Sequence, residues 1–261
     1  MVIALVNHKG GVGKTTCALN IGAGLQRMGK SVLLIDADAQ ANLTTCVGLS
    51  QEEPITLYDV LLERATLEEA IVKREDGADI IPASLELTVL EGEFAARGTM
   101  RREEILRRML KSVRHSYDFI FIDCPPTLDI CTKNALAAAD EVYIPVSAEF
   151  LPMKGLSRIL ETIDIFQRKE INADLQVSGV IITRYNKQQT ICKNIAEELQ
   201  ERFGETVFHT FIRENVALKE SPALERDVFT YAPNSLAAAD YGNLVKEILE
   251  RQDVAVLEHT V

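Results

Sequence analysis

One ten-residue stretch limits what this chain can become more than any other: Asn7-His8-Lys9-Gly10-Gly11-Val12-Gly13-Lys14-Thr15-Thr16. It follows an apolar run at 2–6 and leads into a helical period at 16–28. A buried strand, a glycine-rich turn and a helix in that order make a phosphate-binding loop. Glycines let successive backbone N–H groups curl around phosphate oxygens, and the helix N-terminus adds its dipole. In that setting Lys14 reaches the terminal phosphates and the Thr15 hydroxyl serves Mg2+.

The rest of the chain fits the fold such a loop needs. Short apolar runs at 2–6, 32–35, 79–81, 119–122, 142–146 and 177–182 are hydrophobic on consecutive positions, as strands buried on both faces are. Helical periods at 16–28, 102–114, 156–168, 191–203 and 236–251 lie between or after them. This alternation predicts an α/β fold, a doubly wound and mostly parallel sheet with helices on both faces. Ligands of such sheets sit outside the carboxyl ends of the strands. With 261 residues and 47% hydrophobic content, one domain over 1–252 is expected, with 253–261 as a disordered tail. Residues 48–115 read as a mostly helical excursion from the sheet.

Two further motifs end apolar runs in aspartate. After 33–35 come Asp36-Ala37-Asp38-Ala39-Gln40-Ala41-Asn42, two carboxylates placed to face phosphates from the mouth of the sheet. Their spacing leaves open which does which task. Phe119-Ile120-Phe121-Ile122-Asp123 is followed by Cys124-Pro125-Pro126, the form of a Walker B strand whose aspartate serves Mg2+. The prolines stop the strand and fix the next loop. Cys124 reads as a small buried hydrophobe, because no second cysteine stands at ligand spacing. Five scattered cysteines read as reduced thiols of a cytoplasmic protein.

With Lys9 beside the glycines, the loop resembles that of the ParA/Soj/MinD deviant Walker A ATPases, whose signature lysine stands where Lys9 stands. His8 takes the first glycine position of the general pattern. The resemblance implies ATP and Mg2+ as cofactors, with ATP sandwiched in a homodimer and Lys9 reaching the partner's nucleotide. Lys9, Gly10, Gly11, Val12, Gly13, Lys14, Thr15 and Thr16 become its phosphate contacts. The 36–42 segment resembles the family's D-x-D-x-Q-x-N. Asp38 thereby becomes the residue that orients the attacking water, and Asp36 joins Thr15 and Asp123 around the metal. The likeness extends over 142–155, 179–186, 211–222 and 231–235, and implies Thr183, Arg184, Arg213 and Pro233 at the adenine. Lys9, Lys14 and Asp38 are the implied catalytic residues.

Family members differ in task. MinD-like members bind membranes through a basic amphipathic C-terminal helix, but residues 244–253 carry mixed charge, so no membrane attachment is expected. Nitrogenase-reductase-like members share a cluster through cysteines, and Cys124 and Cys131 lack a ligand pattern. The ParA/Soj branch binds double-stranded DNA without sequence preference in the ATP state and is released by a ParB-like or cargo-adaptor protein. That implies a cytoplasmic ATPase that joins the nucleoid when ATP-bound. Phosphate contacts need cations, and the resemblance offers Arg213 and Lys219. Glu214 and Ala217 stand where some members carry Arg. The chain is net −11, yet residues 97–115 hold seven Lys/Arg against two Glu, a second candidate basic face. The rival expectation is an ATP-dependent dimerisation switch that recruits a protein cargo without touching DNA.

Overall fold

The apolar runs become strands because each is covered on both sides. In the computed structural model, which describes residues 1–149 and 153–258, six strands make one sheet. They are β1 (Val2–Leu5), β2 (Val32–Asp36), β3 (Asp79–Ile81), β4 (Phe119–Asp123), β5 (Glu141–Ser147) and β6 (Gln176–Thr183). Their order is β3-β2-β4-β1-β5-β6, and every neighbouring pair is parallel. The chain builds outward from β1 to β3, returns to insert β4 beside β1, then builds to the other edge. Direction therefore reverses next to β1, where a doubly wound sheet opens its ligand crevice.

Helices cover both faces. Lys14–Arg27 and Leu236–Glu258 pack together on one face, burying Cys17, Ile21, Leu25, Tyr241, Leu244 and Ile248 against Ile3, Leu5 and Phe121. The other face buries Val2, Ala4, Ile120 and Ile122 with Leu106, Ala135, Leu156 and Leu199 from four helices. Strand registers bring three ends to one level: Leu5 lies beside Asp123, and Asp123 beside Asp36. This alignment gathers three separate motifs at one end of the sheet.

Two expectations change. The helical period over 102–114 resolves into a 3-10 turn at Arg102–Glu104, a helix at Ile105–Leu110 and another turn at Arg114–Ser116. Asn134 of the neighbouring helix takes the Leu106 amide at 3.1 Å and donates to the Arg102 carbonyl at 2.9 Å, which fixes the irregular start. The last helix continues to Glu258, past residue 252 where a tail was expected, because no glycine or proline interrupts 243–258. Residues 259–261 of that tail, and 150–152 of the 142–155 segment, lie outside the described residues.

Candidate active site

The phosphate loop closes on its own backbone. Gly11 and Gly13 adopt positive φ, +72° and +95°, which only glycine takes without strain. Gly13 also starts the Lys14–Arg27 helix with no side-chain cap, so the first helical amides keep their donors open. Asn7 is buried beneath the loop, with its Nδ2 on the Pro145 carbonyl at 2.7 Å and its Oδ1 accepting the Lys9 amide at 3.0 Å. Lys14 is buried, its ammonium donating to the Asn7 carbonyl at 3.2 Å and the Lys9 carbonyl at 3.5 Å. Both contacts are long for a charged donor and involve neutral acceptors, so an anion in the loop would replace them at a gain.

The loop forms one wall of a cavity of about 450 Å³. Gly10 to Thr16, Asp38, Gln40 and Pro126 line it from the sheet end, and Thr183, Arg184, Ile212, Arg213, Asn215 and Tyr241 from the other side. The structure thus brings together Lys14, Thr15, Thr16, Asp38, Thr183, Arg184, Arg213 and Lys219 in one cavity. Lys9 is exposed and does not line that cavity. Pro233, expected beside the base, is exposed in the turn before Leu236 and is also outside the lining. The cavity wall on that side is made by Ile212 to Asn215, Leu218 and Tyr241.

Thr15 donates to Asp123 Oδ2 at 2.6 Å, while Asp123 Oδ1 is buried with no partner. Burial and the neighbouring Asp36 carboxylate push the Asp123 carboxyl well above the usual range. A carboxylate with one oxygen unspent beside a hydroxyl and a lysine fits a hard cation that would supply the missing charge. Among the described residues no group of three or more His, Cys, Asp or Glu could cage a metal alone. Asp36, by contrast, is wholly buried, does not line the cavity, and spends both oxygens on the chain around it.

These parts have close counterparts in known proteins. The family model described as an AAA domain (AAA_31) matches residues 1–177. The sporulation initiation inhibitor protein Soj of Bacillus subtilis is 39% identical over 249 residues, covering 95% of this chain and 97% of Soj. The chromosome partitioning protein ParA of Caulobacter vibrioides is 38% identical over 255 residues, covering 96% and 94%. The chain belongs to the ParA/Soj family of P-loop ATPases. Among solved structures, cobyrinic acid a,c-diamide synthase from Mycobacterium smegmatis, with a bound ATP analogue and magnesium, superposes at a TM-score of 0.82 and 30% identity. That likeness covers 97% of this chain and 95% of the other. The family's phosphate loop, Walker B strand and D-x-D segment are therefore the three sheet-end motifs described above.

The cations expected at DNA are engaged elsewhere. Arg213 donates its Nε to Asp240 Oδ2 at 2.9 Å and its backbone amide to the same carboxylate at 3.0 Å. Lys219 sits 2.8 Å from Glu214, and Arg184, expected at the adenine, sits 3.2 Å from Glu149. In the basic 97–115 stretch, Arg97, Arg101, Arg102, Arg108 and Arg114 lie 2.5 to 3.7 Å from Glu93, Glu104, Glu91, Glu63 and Asp140. Four of these five acids lie outside 97–115, three before it and Asp140 after it, so a charge count within the stretch could not have found them. Asp240, Asn215 and Tyr241 carried no motif of their own and were missed in the sequence. Asn7 stood in the quoted loop without an assigned role.

Proposed function

We propose that this chain is a Mg2+-dependent ATPase that dimerises around ATP, holds double-stranded DNA without sequence preference in that state, and releases it on hydrolysis. The observation that carries this is the convergence of Lys14, Thr15, Asp38 and the glycine-loop amides on one cavity, beside the unspent oxygen of Asp123. Lys14 leaves its two carbonyls for the phosphates, and the open amides of the helix start take further phosphate oxygens. Thr15 and Asp123 hold Mg2+, which supplies charge neutralisation at the terminal phosphates. Asp38, partly exposed on the cavity wall, orients water and accepts its proton. Lys9 is exposed and lies outside the lining of its own cavity, which suits a charge delivered to a partner's nucleotide.

A ParB-like or cargo-adaptor protein would speed hydrolysis, and the ATPase would move between cytoplasm and nucleoid with its nucleotide state. No helix of the described residues is long and apolar enough to cross a membrane. The rival, a protein-only switch, is favoured by the pairing of Arg213 and Lys219 with Asp240 and Glu214. Sedimentation and gel-shift of the Asp38→Ala protein with ATP and random-sequence DNA test both. The proposal expects an ATP-dependent dimer that retains DNA and loses it steeply with salt. An ATP-indifferent monomer overturns the sandwich, and a dimer that ignores DNA at low salt selects the protein-only switch.

A further inference from the structure

Asp36 stands in the segment that bears Asp38, yet its carboxylate never reaches the cavity. Its Oδ2 accepts from the Thr44 amide at 2.8 Å and from the Thr44 hydroxyl at 2.8 Å, and its Oδ1 accepts from the Asp38 amide at 3.1 Å. The Thr44 hydroxyl in turn accepts from the Ala83 amide at 3.0 Å. Asp36 and Thr44 are both fully buried. Four hydrogen bonds therefore join the end of β2, the Asn42–Cys46 helix and the residues just after β3 through one hydroxyl and one carboxylate.

The chain between these ties, 37–43, contains Asp38. It is bent by Ala41 at φ +51°, a left-handed conformation that a non-glycine residue keeps only when its surroundings impose it. Asp38 Oδ1 accepts from the Gln40 amide at 3.0 Å, so the turn also restrains its side chain. A fully buried carboxylate depends on its donors, and removing the Thr44 hydroxyl would weaken the hold on Asp36 Oδ2 and leave the Ala83 amide unmatched. The arrangement is over-determined for holding a loop of seven residues, and it spends three acceptor positions of the Asp36 carboxylate on the chain. We infer that Asp36 and Thr44 form a buried latch that positions Asp38, making Thr44 a positioning residue for hydrolysis. The inference rests on the hydrolytic role proposed for Asp38.

Thr44→Val keeps the β-branched shape and deletes the hydroxyl, which severs the bonds to Asp36 Oδ2 and to the Ala83 amide. Thr44→Ser keeps both bonds. Displacing a water-positioning group by a fraction of an ångström to an ångström costs about ten- to a hundredfold in rate. The expected result is a kcat lowered by about that factor in Thr44→Val, with KM and ATP affinity within about twofold of the parent. Thr44→Ser is expected to restore kcat to within about threefold. A parent-like kcat in Thr44→Val, or a loss shared equally between kcat and ATP affinity, would overturn the latch. Hydrogen exchange on the unaltered protein supplies a second reading that needs no variant. The Asp38, Thr44 and Ala83 amides should be protected as a set, and an Asp38 amide that exchanges freely while the other two are protected contradicts it. A parent-like rate in Asp38→Ala would remove the role of Asp38 itself, whereas a dead Asp38→Ala with an active Thr44→Val would remove the latch alone.

Discussion

The phosphate loop and the cations of two other places, Arg213 and Lys219 on the far wall of the same cavity and the basic 97–115 stretch, are built on opposite principles. At the phosphate end, polar groups keep bonding capacity in reserve. Lys14 rests on neutral carbonyls, the helix start has no side-chain cap, and Asp123 Oδ1 has no partner. In the other two places, cations are committed to carboxylates, with Arg213 on Asp240, Lys219 on Glu214, and five of the seven basic residues of 97–115 on acids. Unspent capacity marks where a ligand is received. A sum of charges does not, because ion pairs formed in the fold cancel it.

The largest effect should come from the reserve side. Lys14→Ala removes the one buried cation among the loop residues, and ATP affinity is expected to fall by about a hundredfold or more, measured by titration calorimetry. Affinity within a few-fold of the parent would mean that the loop is not where phosphate binds.

On the committed side, freeing a cation should have the opposite sign. Asp240→Asn keeps an acceptor for the Arg213 amide while removing the charge that holds the guanidinium. DNA affinity of the ATP-bound dimer is expected to rise by about tenfold at low salt, and the slope of log affinity against log salt to steepen by about one. No change in slope would place Arg213 outside the DNA contact.

A stability effect of intermediate size separates the two sides again. The folded, metal-free protein holds the Asp123 proton to higher pH than the unfolded chain does, so it binds more protons between the two titrations. Stability then falls as pH rises from the ordinary carboxylate range through the raised folded value. Asp123→Asn should flatten that slope and raise the melting temperature in chelator at pH 8 by about 2–4 °C per kcal/mol recovered. A variant that melts lower than the parent at pH 8 would show that Asp123 is not strained without metal.

The smallest effect belongs to the exposed pairs. Arg108→Gln breaks the 3.0 Å pair with Glu63, whose partners are about half exposed, and should change stability by less than about 1 kcal/mol. It should also leave DNA affinity within about twofold, read by the same gel-shift. A tenfold loss would restore 97–115 as a basic DNA face.

The same contrast explains what could be read in advance. The six strands, their parallel arrangement and the loop were legible because each is written in consecutive residues: apolar runs, glycines before Lys14, Asp123 before two prolines. Lys14, Thr15 and Asp123 are local to their motifs and meet because three strand ends share a level. The surroundings of Asp36 were not legible for the same local reason. Its motif gives no sign that Thr44, eight residues on, takes one oxygen and that its own loop takes the other. The pairing of Arg213 with Asp240 spans 27 residues and two elements, so nothing in either neighbourhood announces it. Pro233 is exposed in the turn before Leu236 and is not among the residues that line the cavity.

The central claim is that one cavity binds ATP through the glycine loop and cleaves it through Asp38, two tasks held by different residues. The most direct test is single-turnover hydrolysis of ATP by the Asp38→Ala protein, with ATP affinity measured on the same sample. The account predicts ATP bound within about threefold of the parent and cleavage slowed by about a hundredfold or more. Cleavage at the parent rate, or loss of binding in step with cleavage, would contradict it.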